Sequence, residues 1–375
     1  MPRDATEHTK SAKAAGLQYV TEASPGITRK RAGKGFRYLD PEGRRIADRD
    51  VTARIEGLVI PPAWTDVWIC PRGDGHIQAT GRDAKRRKQY RYHTKYRAIR
   101  DETKFERILE FSQVLPRMRK QIERDLSRSG LPREKILAAV LRLLEATLIR
   151  VGNDEYARDN KSYGLTTLKG SHAAVEGWKV KFDFRGKSGV EHAVSITDGR
   201  LARIVQHCQT LPGEELFKYF DEKDRCQVVD SGDINSYLAD ITGGSFTAKD
   251  IRTWTGTVLA AAALRDLGVA DTEKQKKANI LACIDAVAER LGNTRAVCRK
   301  YYIHPKVIEL YMSGRVIDAP ARPEKHARKH NRGELRRDEV ELLKLLGLHG
   351  GASNPGTDAH RQVTDPAPRL TTAQR

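Results

Sequence analysis

In the stretch LGNTRAVCRKYYIHP, Leu291 to Pro305, two adjacent tyrosines, Tyr301 and Tyr302, follow Arg299 and Lys300. A phenol in a strongly basic setting is equipped to attack a phosphodiester. Negative charge then gathers on the non-bridging phosphoryl oxygens, and arginine's planar, permanently charged fork suits those oxygens without help from a metal. The departing alkoxide oxygen is a poor leaving group and needs a proton. A lysine can supply one, and such transfers typically contribute about 10²–10⁴-fold. Three basic residues in distinctive contexts answer this description: Arg150 in LIRVGN, Lys187 in RGKSG and Arg252 in KDIRTW. Each has a plainer reading as well. Arg150 would complement the dipole at a helix end, Lys187 would be a solvated turn lysine, and most tyrosines only pack. Arg252 falls in a helix first turn, where a cation opposes the dipole unless an anion sits there too.

These residues must be held by elements that the sequence marks out. Residues 1–33 read as a polar arm. Residues 34–98 read as a small β-rich domain of short apolar segments, FRYLD, IEGLVIPPAW, DVWICPRG and HIQATGRD, punctuated by Gly and Pro. Residues 99–320 read as a mainly helical catalytic domain. PREKILAAVLRLLEATLIRVGN predicts a helix with Pro132 in its first turn and Gly152 as its stop; Ile136, Leu137, Val140, Leu141, Leu144 and Leu148 form its apolar face. WKVKFDF and VEHAVSI alternate apolar and polar residues around RGKSG, which predicts a β-hairpin with Lys187 at its tip and His192 packed among apolar neighbours. Helices return in TAKDIRTWTGTVLAAAALRDLG and DTEKQKKANILACIDAVAERLG, with Thr247 and Asp271 or Thr272 as caps. Residues 321–375 read as a basic, partly disordered tail with a short apolar helix near Val340–Leu346, adding non-specific affinity for a polyanion.

The chain has 375 residues and a net charge of +19, which points to nucleic acid as its partner. No apolar run reaches the roughly 18 residues of a spanning helix, so no membrane role is expected. The five cysteines are scattered without a CxxC pair and read as reduced thiols of a cytoplasmic protein. P-loop, dinucleotide, zinc-protease and serine-elbow motifs are missing, and the histidines lack metal-ligand spacing, so neither metal nor nucleotide cofactor is expected. From Gly81 to Asp101, basic residues including Arg87 and Lys88 alternate with Tyr90, Tyr92 and Tyr96, as on a surface that lies along a phosphate backbone.

Taken together, IRVGNDEYARDNKSYGLTTLKGSH, FRGKSG, KDIRTW and LGNTRAVCRKYYIHP resemble, in order and rough spacing, the motifs of type IB DNA topoisomerases of the small poxvirus-type and bacterial branch. The resemblance runs from about Phe36 to about Arg315. It implies an α+β fold, with a β-rich N-terminal domain and a helical domain of the tyrosine recombinase/topoisomerase IB type carrying a β-hairpin. The two would clamp duplex DNA, as a monomer, without metal or nucleotide. It implies that Arg150 and Arg252 are the two active-site arginines, Lys187 the general acid, and Tyr302 the nucleophile, since the family's nucleophile lies nine residues after the position of Asn293. Many relatives carry histidine where Asn293 stands. An amide donates hydrogen bonds but moves no protons, so oxyanion stabilisation is the role expected of it, alongside capping of the next helix. KQYRY falls under the resemblance too, which implies that Gln89, Tyr90 and Tyr92 lie in the major groove or on phosphates. A tyrosine recombinase shares the Arg, Lys, Arg, Tyr set, but usually has His-x-x-Arg where Lys249 precedes Arg252, and its N-terminal unit is typically helical. A non-catalytic DNA clamp explains the charge but not the order of the four motifs.

Overall fold

The computed structural model describes residues 3–33, 35–84, 86–318 and 334–347. The chain opens with helix α1 (Arg3–Ala14), then β1 (Ile27–Ala32), β2 (Gly35–Leu39), α2 (Arg49–Gly57), β3 (Thr65–Ile69), β4 (Ile77–Arg82) and β5 (Lys88–Tyr92). The five strands form one antiparallel sheet in the order β2-β1-β3-β4-β5, over a small core of Ile27, Ile55, Val67, Ile69 and Ala79. The expected polar arm therefore holds a helix and an interior strand. Its composition conceals both. Ala12 is the buried anchor of α1, and β1 is basic because Arg29 spends its fork on the carbonyls of Ile60, Pro61 and Trp64 while lying over the Phe36 ring. Part of IEGLVIPPAW, expected as a strand, closes α2 instead. Asp48 caps that helix, accepting from the Asp50 and Val51 amides, and Ile55 is its buried residue.

A long helix, α3 (Thr94–Leu126), leads into the second part of the molecule: α4 (Arg133–Thr147), α5 (Asp154–Asn160), strands β6 (Ala173–Glu176), β7 (Lys179–Arg185) and β8 (Glu191–Thr197), α6 (Gly199–Gln209), the pair β9 (Lys218–Phe220) and β10 (Cys226–Val228), then α7 (Ser231–Thr242), α8 (Ala248–Leu267), α9 (Glu273–Leu291), α10 (Arg295–Tyr301), α11 (Pro305–Met312) and α12 (Arg337–Leu345). α4 runs through the centre, with Ile136 to Leu141 wholly buried. Burying side chains of this kind contributes about 1.5–3 kcal/mol each. The hairpin pairs Val180 with Ile196, Phe182 with Val194 and Phe184 with His192, the register its alternation requires, and β6 adds a third strand. Trp178 departs from the expected inward pattern. It sits in the β6–β7 turn, 76% exposed.

α12 is part of this core rather than an appendage. Leu342, Leu343 and Leu346 join the main cluster, and Glu339 accepts both Nη groups of the buried Arg119 at 2.8 Å and the indole N–H of Trp254 at 3.1 Å. Arg119 also binds Glu145, equally buried. A buried ion pair is costly to break, so α3, α4, α8 and α12 are locked together. The rest of the expected tail, residues 319–333 and 348–375, lies outside the described residues.

Candidate active site

The helix that was expected to carry Arg150 at its end stops earlier. Leu148 turns left-handed (φ 59°, ψ 15°) after Thr147, a conformation that costs a non-glycine residue about 1 kcal/mol or more. It is held there because its side chain is buried and its carbonyl accepts from Arg252. Arg150 then lies in an irregular segment whose backbone is fixed by Leu165 N–H donating to the Arg150 carbonyl at 2.8 Å. Its guanidinium crosses to the end of α9 and donates to the Gly292 carbonyl at 2.7 Å and to Asn293 Oδ1 at 2.5 Å. Gly292, at φ 59°, is the left-handed residue that ends α9 and aims both acceptors at Arg150.

Arg252 lies one turn into α8 and is only 4% exposed. Thr247 and Asp250 close a capping box at the start of that helix. Arg252 donates to the carbonyls of Leu148 and Leu291, and its Cζ stands 5.6 Å from the centroid of the Tyr302 ring. Burial pushes its pKa down to about 10, against the pull of Tyr302 and with a push from Arg150; the group remains protonated at neutral pH. Two buried donors at this site, Arg252 Nε and Asn293 Nδ2, have no partner among the described residues. A buried unpaired N–H costs about 1–3 kcal/mol, and a phosphoryl oxygen would satisfy such donors.

Tyr302 closes α10. Its amide donates to the Cys298 carbonyl at 2.9 Å, and its own carbonyl packs against Gly256 of α8, where a Cβ would come within 2.7 Å of that oxygen. Thr294, not Asn293, caps α10, which leaves the Asn293 side chain to Arg150. Tyr301 faces elsewhere. Its ring has the ammoniums of Lys104, Lys300 and Lys249 at 4.8, 5.2 and 5.8 Å, within cation–π range. The two adjacent tyrosines therefore occupy different surroundings, Tyr302 at the arginines and Tyr301 in a lysine-lined groove.

Lys187 stands exposed on the hairpin tip, in a single 3₁₀ turn over Lys187–Gly189. Desolvation, then the Arg150 charge and more weakly Arg87, push its pKa down, while Tyr302 pulls it up. Arg150 and Arg252 likewise feel Tyr302. Arg150, Lys187, Arg252, Asn293 and Tyr302 thus converge, although they come from a loop, a hairpin, helix α8 and the two ends of α10.

The N-terminal candidates divide. Arg87 is paired with Asp83 at 2.6 Å yet lies within electrostatic reach of Lys187. Gln89 also donates to Asp83, at 3.1 Å, and Lys88 pairs with Glu22. Tyr90 and Tyr92 share a face of β5, with rings 5.8 Å apart and nearly parallel, and the stack continues to Tyr96 on α3 at 5.4 Å. Strand alternation puts Gln89 on the opposite face from these tyrosines. Sequence reasoning also missed His192, expected as a packed core residue. It is half-buried and stacks on Phe184, but its pKa is lowered by desolvation and then by Arg150 and Arg252, so it belongs to the wall of this site. Its pairing near the hairpin tip was the available signal.

Among the described residues no helix is long and apolar enough to cross a membrane. Residues 93–320 match the family described as eukaryotic DNA topoisomerase I, catalytic core, and residues 35–83 match bacterial DNA topoisomerase IB, N-terminal domain. The chain is 31% identical over 296 residues to DNA topoisomerase 1B of Acanthamoeba polyphaga mimivirus, covering 77% of this chain and 88% of that one. It is 24% identical over 246 residues to DNA topoisomerase 1B of vaccinia virus (strain Copenhagen), covering 64% and 73%. With a catalytic-core match over most of the chain and a relative of this identity and coverage, the chain belongs to the type IB DNA topoisomerase family, whose members are isomerases.

Proposed function

We propose that this protein relaxes supercoiled duplex DNA by cutting and resealing one strand, and that Tyr302 is the nucleophile. The Tyr302 oxygen gives up its phenol proton to water and attacks the scissile phosphorus. The bond from phosphorus to the 5′ oxygen breaks, and a 3′-phosphotyrosyl link forms. Arg150, Arg252 and the unpaired Asn293 amide hydrogen-bond the non-bridging oxygens as charge develops there. Lys187 gives its proton to the departing 5′ oxygen, and its depressed pKa makes it a readier donor. The free end swivels. The 5′ hydroxyl then attacks the phosphotyrosine, its proton returns to Lys187, and Tyr302 is released and takes a proton back from water. Bond energy is kept in the covalent link, so no ATP is consumed, and the two arginines do the electrostatic work otherwise given to a metal.

The observation that carries this reading is the convergence of two arginines and a lysine on one tyrosine, with buried Arg252 Nε and Asn293 Nδ2 unpaired. The stacked Tyr90 and Tyr92, and Arg87 close to the Lys187 tip, support a clamp in which the five-stranded sheet covers one side of the duplex and the helical part the other. We expect the protein to work as a monomer on chromosomal DNA in the cytoplasm. The test is relaxation of supercoiled plasmid in EDTA without ATP. Wild type and Tyr301→Phe should relax it, whereas Tyr302→Phe should bind it and leave it supercoiled. A wild-type protein that relaxes nothing under these conditions would overturn the reading.

A further inference from the structure

His192 occupies a place that the reaction scheme above leaves without a role. It lies on β8 directly across from Phe184 of β7, and the two rings stack at 5.0 Å with an interplanar angle of 13°. One edge of the imidazole meets Gly186, the residue before Lys187. A Cβ on Gly186 would lie 2.5 Å from His192 Cδ2 and 2.6 Å from Nε2. The other edge meets Gly292, the residue before Asn293, where a Cβ would lie 2.9 Å from His192 Cε1 and 3.6 Å from Arg150 Nη1. The Gly292 carbonyl is itself the acceptor that Arg150 binds at 2.7 Å. One ring therefore separates the backbone that presents Lys187 from the backbone that anchors Arg150 and Asn293. Only glycine fits against it on either side.

We propose that His192 is a positioning residue for strand cleavage: its ring spaces the Lys187 turn from the Arg150–Gly292–Asn293 cluster, so that the ammonium meets the 5′ oxygen while the arginine holds the phosphate. The proposal rests on the topoisomerase reading above. Stacking on Phe184 fixes the ring plane, and the Gly186 amide donating to the Val190 carbonyl at 2.7 Å ties the turn to the strand that carries His192. Desolvation and the two nearby arginines keep the imidazole neutral at neutral pH, so it acts as a rigid spacer and adds no charge to a site that already holds three cations.

A residue that acts through the general acid makes a specific kinetic signature. With oxygen as the leaving atom, cleavage needs the Lys187 proton. With sulfur at the 5′ bridging position, the departing thiolate leaves without one, because a thiol's pKa of about 8.5 is close to neutral pH. Single-turnover cleavage at saturating enzyme is measured on matched oxygen-bridged and sulfur-bridged duplexes for wild type, His192→Ala and His192→Phe. We expect His192→Ala to slow oxygen-bridged cleavage about 10²-fold, the lower end of a general acid's contribution, and to leave sulfur-bridged cleavage within about threefold of wild type. His192→Phe keeps a stacking ring and should recover most of the rate. In a Lys187→Ala background, His192→Ala should add less than about threefold, because the two changes remove one function. Equal loss on both substrates, or an unchanged rate on both, would overturn the proposal. Should His192→Ala fail to fold, His192→Asn carries the same comparison. Wild type that cleaves neither duplex would overturn the topoisomerase reading and the proposal with it.

Discussion

Gly256→Ala adds one methyl group at the back of the nucleophile, and its consequences separate cleanly. The new Cβ would lie 2.7 Å from the Tyr302 carbonyl oxygen, 3.2 Å from Leu291 Cδ1 and 3.4 Å from Tyr302 Cβ. Alanine in a helix interior is favoured over glycine by about 0.5–1 kcal/mol, whereas overpacking typically costs about 1–3 kcal/mol. The closest obstacle is backbone. It is also tied down, since the Tyr302 amide donates to the Cys298 carbonyl at 2.9 Å and the His304 amide to Thr257 Oγ1 at 3.2 Å. Overpacking should win narrowly, lowering stability by about 1 kcal/mol and Tm by about 2–4 °C. The larger effect is on chemistry. Opening the contact to an ordinary 3.4 Å shifts the Tyr302 backbone or α8 by about 0.7 Å. Since a misplacement of about 1 Å can cost about 10²-fold, the rate of covalent-complex formation should fall roughly 10- to 100-fold, with DNA affinity unchanged. Single-turnover cleavage at saturating enzyme, a binding isotherm and a melting curve measure the three quantities. A variant that melts a few degrees lower but cleaves within twofold of wild type would refute the link between α8 packing and nucleophile placement.

Three further outcomes follow from the charges. Glu339→Ala takes from the buried Arg119 one of its two carboxylate partners and leaves it Glu145, so stability should fall by about 3 kcal/mol, read as a midpoint drop of several degrees. Burial alone would raise the Glu339 pKa, but the hydrogen bonds and charge of Arg119 and the Arg336 amide outweigh it and hold the carboxyl below its ordinary value. Its contribution is therefore complete above the unfolded carboxyl pKa of about 4.3 and is lost as pH falls; Glu339→Gln should flatten the acid side of the stability curve, and an identical curve would contradict the assignment. Arg87→Gln removes one of the charges that push the Lys187 ammonium down. Cleavage needs that ammonium protonated, so the alkaline limb of the rate profile should move to higher pH. A limb that stays put or moves down would show that Arg87 does not act on Lys187.

The parts of this fold that were legible in the sequence are those set by neighbours in the chain. Alternation alone puts Val180, Phe182 and Phe184 on one face and Lys187 at the tip, and residue type and position mark Thr247 as a cap and narrow the next one to Asp271 or Thr272, of which Thr272 is the cap. What the sequence hid depends on partners far along the chain. α4 stops at Thr147 because Leu148 is held left-handed by Arg252, 104 residues away. α12 is core because Glu339 meets Arg119, 220 residues away. β1 hid its place behind Arg29, Lys30 and Arg31, whose charge reads as a loose arm until Arg29 is seen bonded to three carbonyls. Arg150, Lys187, Arg252, Asn293 and Tyr302 all belong to motifs whose order implies them. His192 could not be read that way, because its meaning lies in two glycines on either side of it, one of them in a different element.

The central claim is that Tyr302 becomes covalently joined to the 3′ end of a broken strand. Trapping the protein on DNA with denaturant, trimming the DNA with nuclease and sequencing the modified peptide by mass spectrometry tests it directly. The nucleotide remnant should sit on Tyr302, joined through a 3′ phosphate, in both wild type and Tyr301→Phe, and should vanish in Tyr302→Phe. A remnant on Tyr301, a 5′ linkage, or no adduct from a protein that still binds the duplex would contradict the account.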